Sequence, residues 1–269
     1  MAQVLRTTFR ALGRVFPDCL TLGQAIAFNM FLAFFPVLLF ILGVLSSKAY
    51  FHAAVYEIPQ RLGTILPPGS DEMVVQYFTR RGIHPWKWMS LGMAGTLLAG
   101  SQVMVGLLEG FRIVEGDSVR PSVWRTYLRA MILLTITFVP FLVVVVLTVF
   151  GKQVRGWLIR HIGSTLIHAL GFAAYVAGVF LLALCVLLVV YRFGRPKGSR
   201  VEEVLPGAFV ATVLWWIADI VFGLYVRKMP YDAVYGGLAA VIGLLLWMYL
   251  TAIVILVGAA YNAEAREIQ

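Results

Sequence analysis

YDAVYGGLAAVIGLLLWMYLTAIVILVGAAYNAE, from Tyr231 to Glu264, is the stretch whose reading decides the fold. No charged residue stands between Gly236 and Ala260, a run longer than the roughly 20 residues a helix needs to cross a bilayer. Gly236 and Ala240, then Ala239 and Gly243, are spaced four apart. They line one helical face with small residues, where a second helix can approach closely. Trp247 and Tyr249 fall mid-run, away from the interfacial belt where membrane aromatics collect, and are expected to pack against protein. The stretch reads as a membrane helix that faces other helices.

Composition extends that reading to the whole chain. Of 269 residues, 61% are hydrophobic and 13% charged, and the mean hydropathy is +0.87. These values lie outside the soluble range and describe an all-α, polytopic membrane protein. The net charge of +9 would point to nucleic acid in a soluble domain. Here the 22 Lys and Arg lie almost entirely between the hydrophobic runs, where they serve topology and anionic headgroups. Cys19 and Cys185 lie in very different settings, so no disulfide is expected, and their number excludes a cysteine metal site.

Taken in order, residues 1–23 form a basic amphipathic segment, with Arg6, Arg10 and Arg14 every fourth residue and Leu5, Phe9, Leu12 and Phe16 on another face. That pattern suits an anionic membrane surface, and no cleavage signal follows. A membrane domain over 24–262 then carries six crossings, at about 24–46, 88–111, 127–150, 164–191, 204–226 and 234–262, with a tail at 263–269. Between the first two lies an extramembrane insert, 48–87, with a helical apolar stripe in Asp71 to Arg81 behind the start signal at Ser70. Forty residues are too few for an independent enzyme core. Pro36 and Pro140 interrupt the first and third crossings and are expected to kink them. Gly106 and Gly110 form a GxxxG that permits close packing. With both termini inside, twelve Lys and Arg fall on the cytoplasmic side; leaving out the long insert, five fall on the other.

Chemistry-bearing residues are few. Asp219, deep in the fifth crossing, is the most informative charge, because such a carboxylate usually faces a bundle interior or a water-filled cavity. It equally suits a structural pair with a neighbouring helix. Glu109 inside the GxxxG reads either as an ion pair with Arg112 at the helix end or as a carboxylate in a transport path. His52, His84, His161 and His168 are scattered singly, so no metal site is expected. There is no P-loop, dinucleotide fingerprint or nucleophile elbow. The basic, aromatic stretch Arg120 to Arg129 reads as a loop entering a helix at the lipid phosphates rather than as an RNA platform.

The pattern YGG, LLW-Y and G-NA, carried by Tyr235, Gly236, Gly237, Leu246, Trp247, Tyr249, Gly258, Asn262 and Ala263, resembles the YihY/BrkB family. These are bacterial inner-membrane proteins once labelled ribonuclease BN. Ala25 to Phe40 is similar to the family's first-helix signature, with Ala33 where Ser is usual and Asn29 in a stretch usually rich in Tyr. The resemblance implies six helices, an inner-membrane location and cytoplasmic termini. Tyr235, Gly236, Trp247 and Asn262 are read as packing determinants, with Asn262 bonding near the cytoplasmic helix end. The expected function is transporter-like, moving or binding a lipid or amphipathic envelope component, without enzymatic activity, cofactor or nucleic acid. Asp219, Glu109 and Asn29 would line its path, and Arg112, Arg125 and Arg195 would hold an anionic lipid headgroup. The alternative is a non-transporting scaffold that meets a second copy or an envelope protein; a ribonuclease is a distant third.

Overall fold

The computed structural model describes Gly13 and residues 18–46, 85–117, 121–140, 166–195, 199–228 and 238–267. Outside these lie the N-terminal arginine stripe, the insert up to residue 84, residues 141–165 of the third and fourth crossings, His52, His84, His161, Tyr235 and Gly236. Six helices are described: α1 (Asp18–Ser46), α2 (Pro85–Val114), α3 (123–140), α4 (Leu166–Gly194), α5 (Val201–Lys228) and α6 (Leu238–Glu267). No strand occurs among the described residues. All of these helices except α3 are long and apolar enough to cross a membrane.

Several helices run past one limit of the expected crossing because their polar ends continue the backbone ladder. Thus α2 starts at Pro85, inside the expected insert, and α6 runs on to Glu267. Hydroxyls within the helices bond back to their own ladder: Thr96 Oγ1 donates to the Gly92 carbonyl, and Thr212 Oγ1 to that of Ala208, each at 2.7 Å. A helix in hydrocarbon must satisfy its polar groups internally, and these do so without a partner helix.

The chain divides into two compact units. One holds residues 20–106 and 216–253, and its spine is the antiparallel pair α1 and α2. A methyl on Gly106 would meet Ile26, one on Gly95 would meet Pro36, one on Gly92 would meet the Phe40 backbone, and one on Gly43 would meet Met89. Glycine is needed along this contact because each added carbon would lie within 3 Å of an atom of the other helix. Pro36 therefore packs directly against the glycine-rich face of α2. At its other end α1 meets α6, where Gly23 faces Ile253 and Tyr249.

The other unit holds residues 1–19, 107–215 and 254–269. Here the end of α2 packs on the end of α4: Phe111 and Tyr191 meet edge to face at 5.5 Å between centroids, and Gly194 seats against the Phe111 ring. Phe180 of α4 meets Phe209 of α5 in the same edge-to-face manner. Tyr191, Phe111, Leu256, Val204 and Leu133 are among its fully buried side chains.

Candidate functional site

The second unit contains a closed polar seam between the start of α5 and the end of α6. Pro206 lies in the second turn of α5; it has no N–H to offer the Glu202 carbonyl one turn back, and its ring crowds that carbonyl. The Asn262 side chain of α6 binds the α5 backbone on either side of this proline: its Oδ1 accepts from the Gly207 N–H at 2.7 Å, and its Nδ2 donates to the Val204 carbonyl at 3.2 Å. Asn262 is only 2% exposed. One amide thus satisfies a donor and an acceptor that would each be expensive to leave bare in hydrocarbon.

Such a bond requires the two backbones to touch. A methyl on Gly207 would collide with the Gly258 carbonyl oxygen and the Asn262 amide, and one on Gly258 with the Tyr191 hydroxyl and Ala211. Gly258 and Asn262 are four apart on α6 and so share the face that meets Gly207. Tyr191 closes the third side by donating to the Ile255 carbonyl at 2.8 Å.

An ion network lies at the helix ends of the same unit. α2 stops in a Schellman turn: Gly116 takes φ +66°, its N–H donates to the Ile113 carbonyl, and the Asp117 N–H to that of Arg112. Glu115, thereby fixed at the cap, accepts from Arg195 Nε at 2.5 Å and from Arg266 Nη2 at 3.0 Å. Arg195 Nη1 also reaches Glu203 in the first turn of α5 at 3.0 Å. Arg112, 8% exposed, is bonded to Glu109 three residues earlier. Of the three arginines expected to hold a headgroup, Arg112 and Arg195 are therefore engaged by carboxylates, and Arg125 alone is exposed, at the start of α3. Gly110 is buried in α2, and Pro140 is half-buried at the last described residue of α3.

The first unit contains the contrasting arrangement. Asp219 is exposed on α5, and its Oδ1 accepts from Trp247 Nε1 of α6 at 3.3 Å. Gly223, one turn beyond Asp219, and Gly243, one turn before Trp247, each have open space where a methyl would project. Because the helices are antiparallel, both glycines lie toward the same end of the Asp219–Trp247 pair. The first unit also holds Asn29, half-buried in α1, whereas Glu109 belongs to the second. The three residues expected to line one path are thus divided between the units.

Glu115, Glu203, Arg266, Tyr191 and Gly207 were not anticipated as partners. Pro206-Gly207 near the start of a crossing is a readable signal of a helix that lacks one backbone donor and tolerates close approach. The bond between Arg195 and Glu115 spans 80 positions and leaves no local pattern. Among the described residues, no cluster of His, Cys, Asp or Glu is arranged to hold a metal ion.

The family model for virulence factor BrkB matches residues 16–269. The chain belongs to that family. It is a membrane protein, as its composition and its long apolar helices require. Among similar proteins is the ribonuclease-like protein YfkH of Bacillus subtilis, 27% identical over 88% of this chain and 86% of the relative. A UPF0761 membrane protein of Tolumonas auensis is 29% identical over 62% of this chain and 57% of the relative. One from Xanthomonas oryzae is 25% identical over 88% of this chain. The chain spans 55% of that last protein's length. No solved structure matches the chain.

Proposed function

We propose that the protein resides in the bacterial inner membrane with both termini in the cytoplasm, and binds or moves a lipid or other amphipathic envelope component. Asp219 carries this proposal. A carboxylate within a membrane helix is costly, up to about 2.5–3.5 kcal/mol at the helix centre on insertion scales, and here it is exposed on the chain. A polar group from outside the chain is the simplest compensation, and the empty space at Gly223 and Gly243 leaves room for one. In this proposal Arg125 meets anionic lipid at the cytoplasmic surface, and the protein performs no enzymatic step and uses no cofactor or nucleic acid.

A second reading is a non-transporting scaffold that joins a second copy or an envelope protein. It is favoured by the ion network, whose arginines serve neighbouring helices rather than an open path. Lipids retained by the gently extracted protein, measured by mass spectrometry for wild type and Asp219→Asn, separate the two. Retention of a specific lipid that the variant loses is the expected result. The same bulk lipid in both would remove Asp219 from any route and leave the scaffold.

A further inference from the structure

We propose that the Asp219–Trp247 seam receives the cationic end of an amphiphile, a protonated amine or a quaternary ammonium group. This rests on the proposal that an amphipathic molecule reaches Asp219, and it assigns that molecule's chemistry from four features of the seam.

The first is charge. Between Val204 and Val226 of α5 and between Leu238 and Ala263 of α6, Asp219 is the one charged residue. The nearest basic residues on α5, Arg227 and Lys228, are more than two turns away. The two helices therefore bring one acidic group and no basic one to the seam, and a carboxylate in an apolar span attracts a cation and repels an anion.

The second is the aromatic surround. Trp216 and Phe222 stand three residues before and after Asp219 and are its neighbours on the helix surface. Both are half-buried, while Trp247 of α6 meets the carboxylate with its N–H edge. Aromatic faces attract ammonium groups and are poor surfaces for phosphate or sulfate.

The third is the direction of the opening. At 100° per residue, Ile217, Ile220, Val221 and Leu224 form one exposed apolar stripe of α5. Asp219 projects from the opposite side, toward the α6 residue that bonds it. Open space at Gly223 and Gly243 adjoins this side. The carboxylate thus opens into the seam and not along the stripe that suits lipid tails.

The fourth is spare bonding capacity. The Trp247 bond is long at 3.3 Å and occupies one of about four acceptor positions on a carboxylate. An ammonium group can bind beside the indole or displace it. Asp219 lies seven residues before Val226, about 10 Å along the helix, a depth that the charged end of an amphiphile with a short headgroup can reach.

The test uses the full chain in nanodiscs, with radiolabelled octyltrimethylammonium and octyl sulfate as matched probes, equilibrium dialysis, and empty nanodiscs as the blank. Saturable binding of the ammonium is expected, weakened about tenfold in Asp219→Asn and largely kept in Asp219→Glu. Octyl sulfate should show no saturable component. Thermal unfolding of each variant confirms that the comparison is between folded proteins. Equal binding of the sulfate, or ammonium binding indifferent to Asp219→Asn in a folded variant, overturns the cationic assignment. So does an absence of saturable binding by either probe. Lipid retention by the wild type, measured separately as above, decides whether the broader proposal survives that failure.

Discussion

Helices α5 and α6 meet twice, and the two meetings have opposite character. In one unit Gly207 and Gly258 bring the backbones into contact, Asn262 bridges them with two hydrogen bonds, and Tyr191 covers the crossing. In the other, Gly223 and Gly243 face open space, and one 3.3 Å bond joins Trp247 to an exposed carboxylate. The same residue type thus serves close approach at one place and vacancy at the other. α5 carries the contrast within itself: Val204, Gly207, Ala208, Ala211 and Thr212 are buried, whereas none of its described residues from 213 onward is. A polar group that maintains a membrane fold is expected to have its partners built in. One that handles something else must leave capacity unused, and Asp219 does.

The comparison breaks most readily at the closed crossing. Gly207→Ala places a carbon against the Gly258 carbonyl and the Asn262 amide, neither of which is the free end of a flexible chain. The helices must separate, and a loss of about 3 kcal/mol is expected, read as a marked fall in unfolding temperature in nanodiscs. An unchanged temperature would mean that the crossing is looser than its geometry. Asn262→Ala should have a smaller effect, about 2 kcal/mol, because it removes two buried hydrogen bonds to the Gly207 N–H and the Val204 carbonyl but lets the backbones stay in place. Combined with Gly207→Ala it should add less than its full single effect, since both changes break one contact. Full additivity would separate the hydrogen bonds from the close approach.

The helical plan was legible because hydrophobic length is a property of the chain itself. The runs around Ile26, Val103, Leu181 and Leu256 became helices that extend a few residues past their apolar limits. The motif residues Gly258 and Asn262 were visible as a pattern, but their reason was not: it depends on their meeting Gly207 and Val204 of another helix. Glu109 was readable with Arg112, a local pair on one helical face. The partner of Arg195 was not readable, since a basic residue at a helix end has the same appearance whether it meets a phosphate or a distant Glu115, to which it is bonded in the structure. Asp219 stood out for its depth, yet only the structure shows that it is exposed and bonded to Trp247. Local chemistry is therefore readable, and partners across the sequence are not.

The smallest expected effect sharpens the comparison from the open side. Gly223→Ala adds the same carbon as Gly207→Ala, to the same helix, but into empty space. With no clash to relieve, only backbone freedom changes, and alanine favours a helix over glycine by up to about 1 kcal/mol. The unfolding temperature should therefore hold or rise slightly. Binding of the octyltrimethylammonium probe should fall, because the new methyl occupies room beside Asp219. A stable variant with weakened binding would identify that space as part of the site. A destabilised variant would show that the opening is filled by the chain in the membrane, and the contrast between the two crossings would then be one of packing detail rather than of purpose.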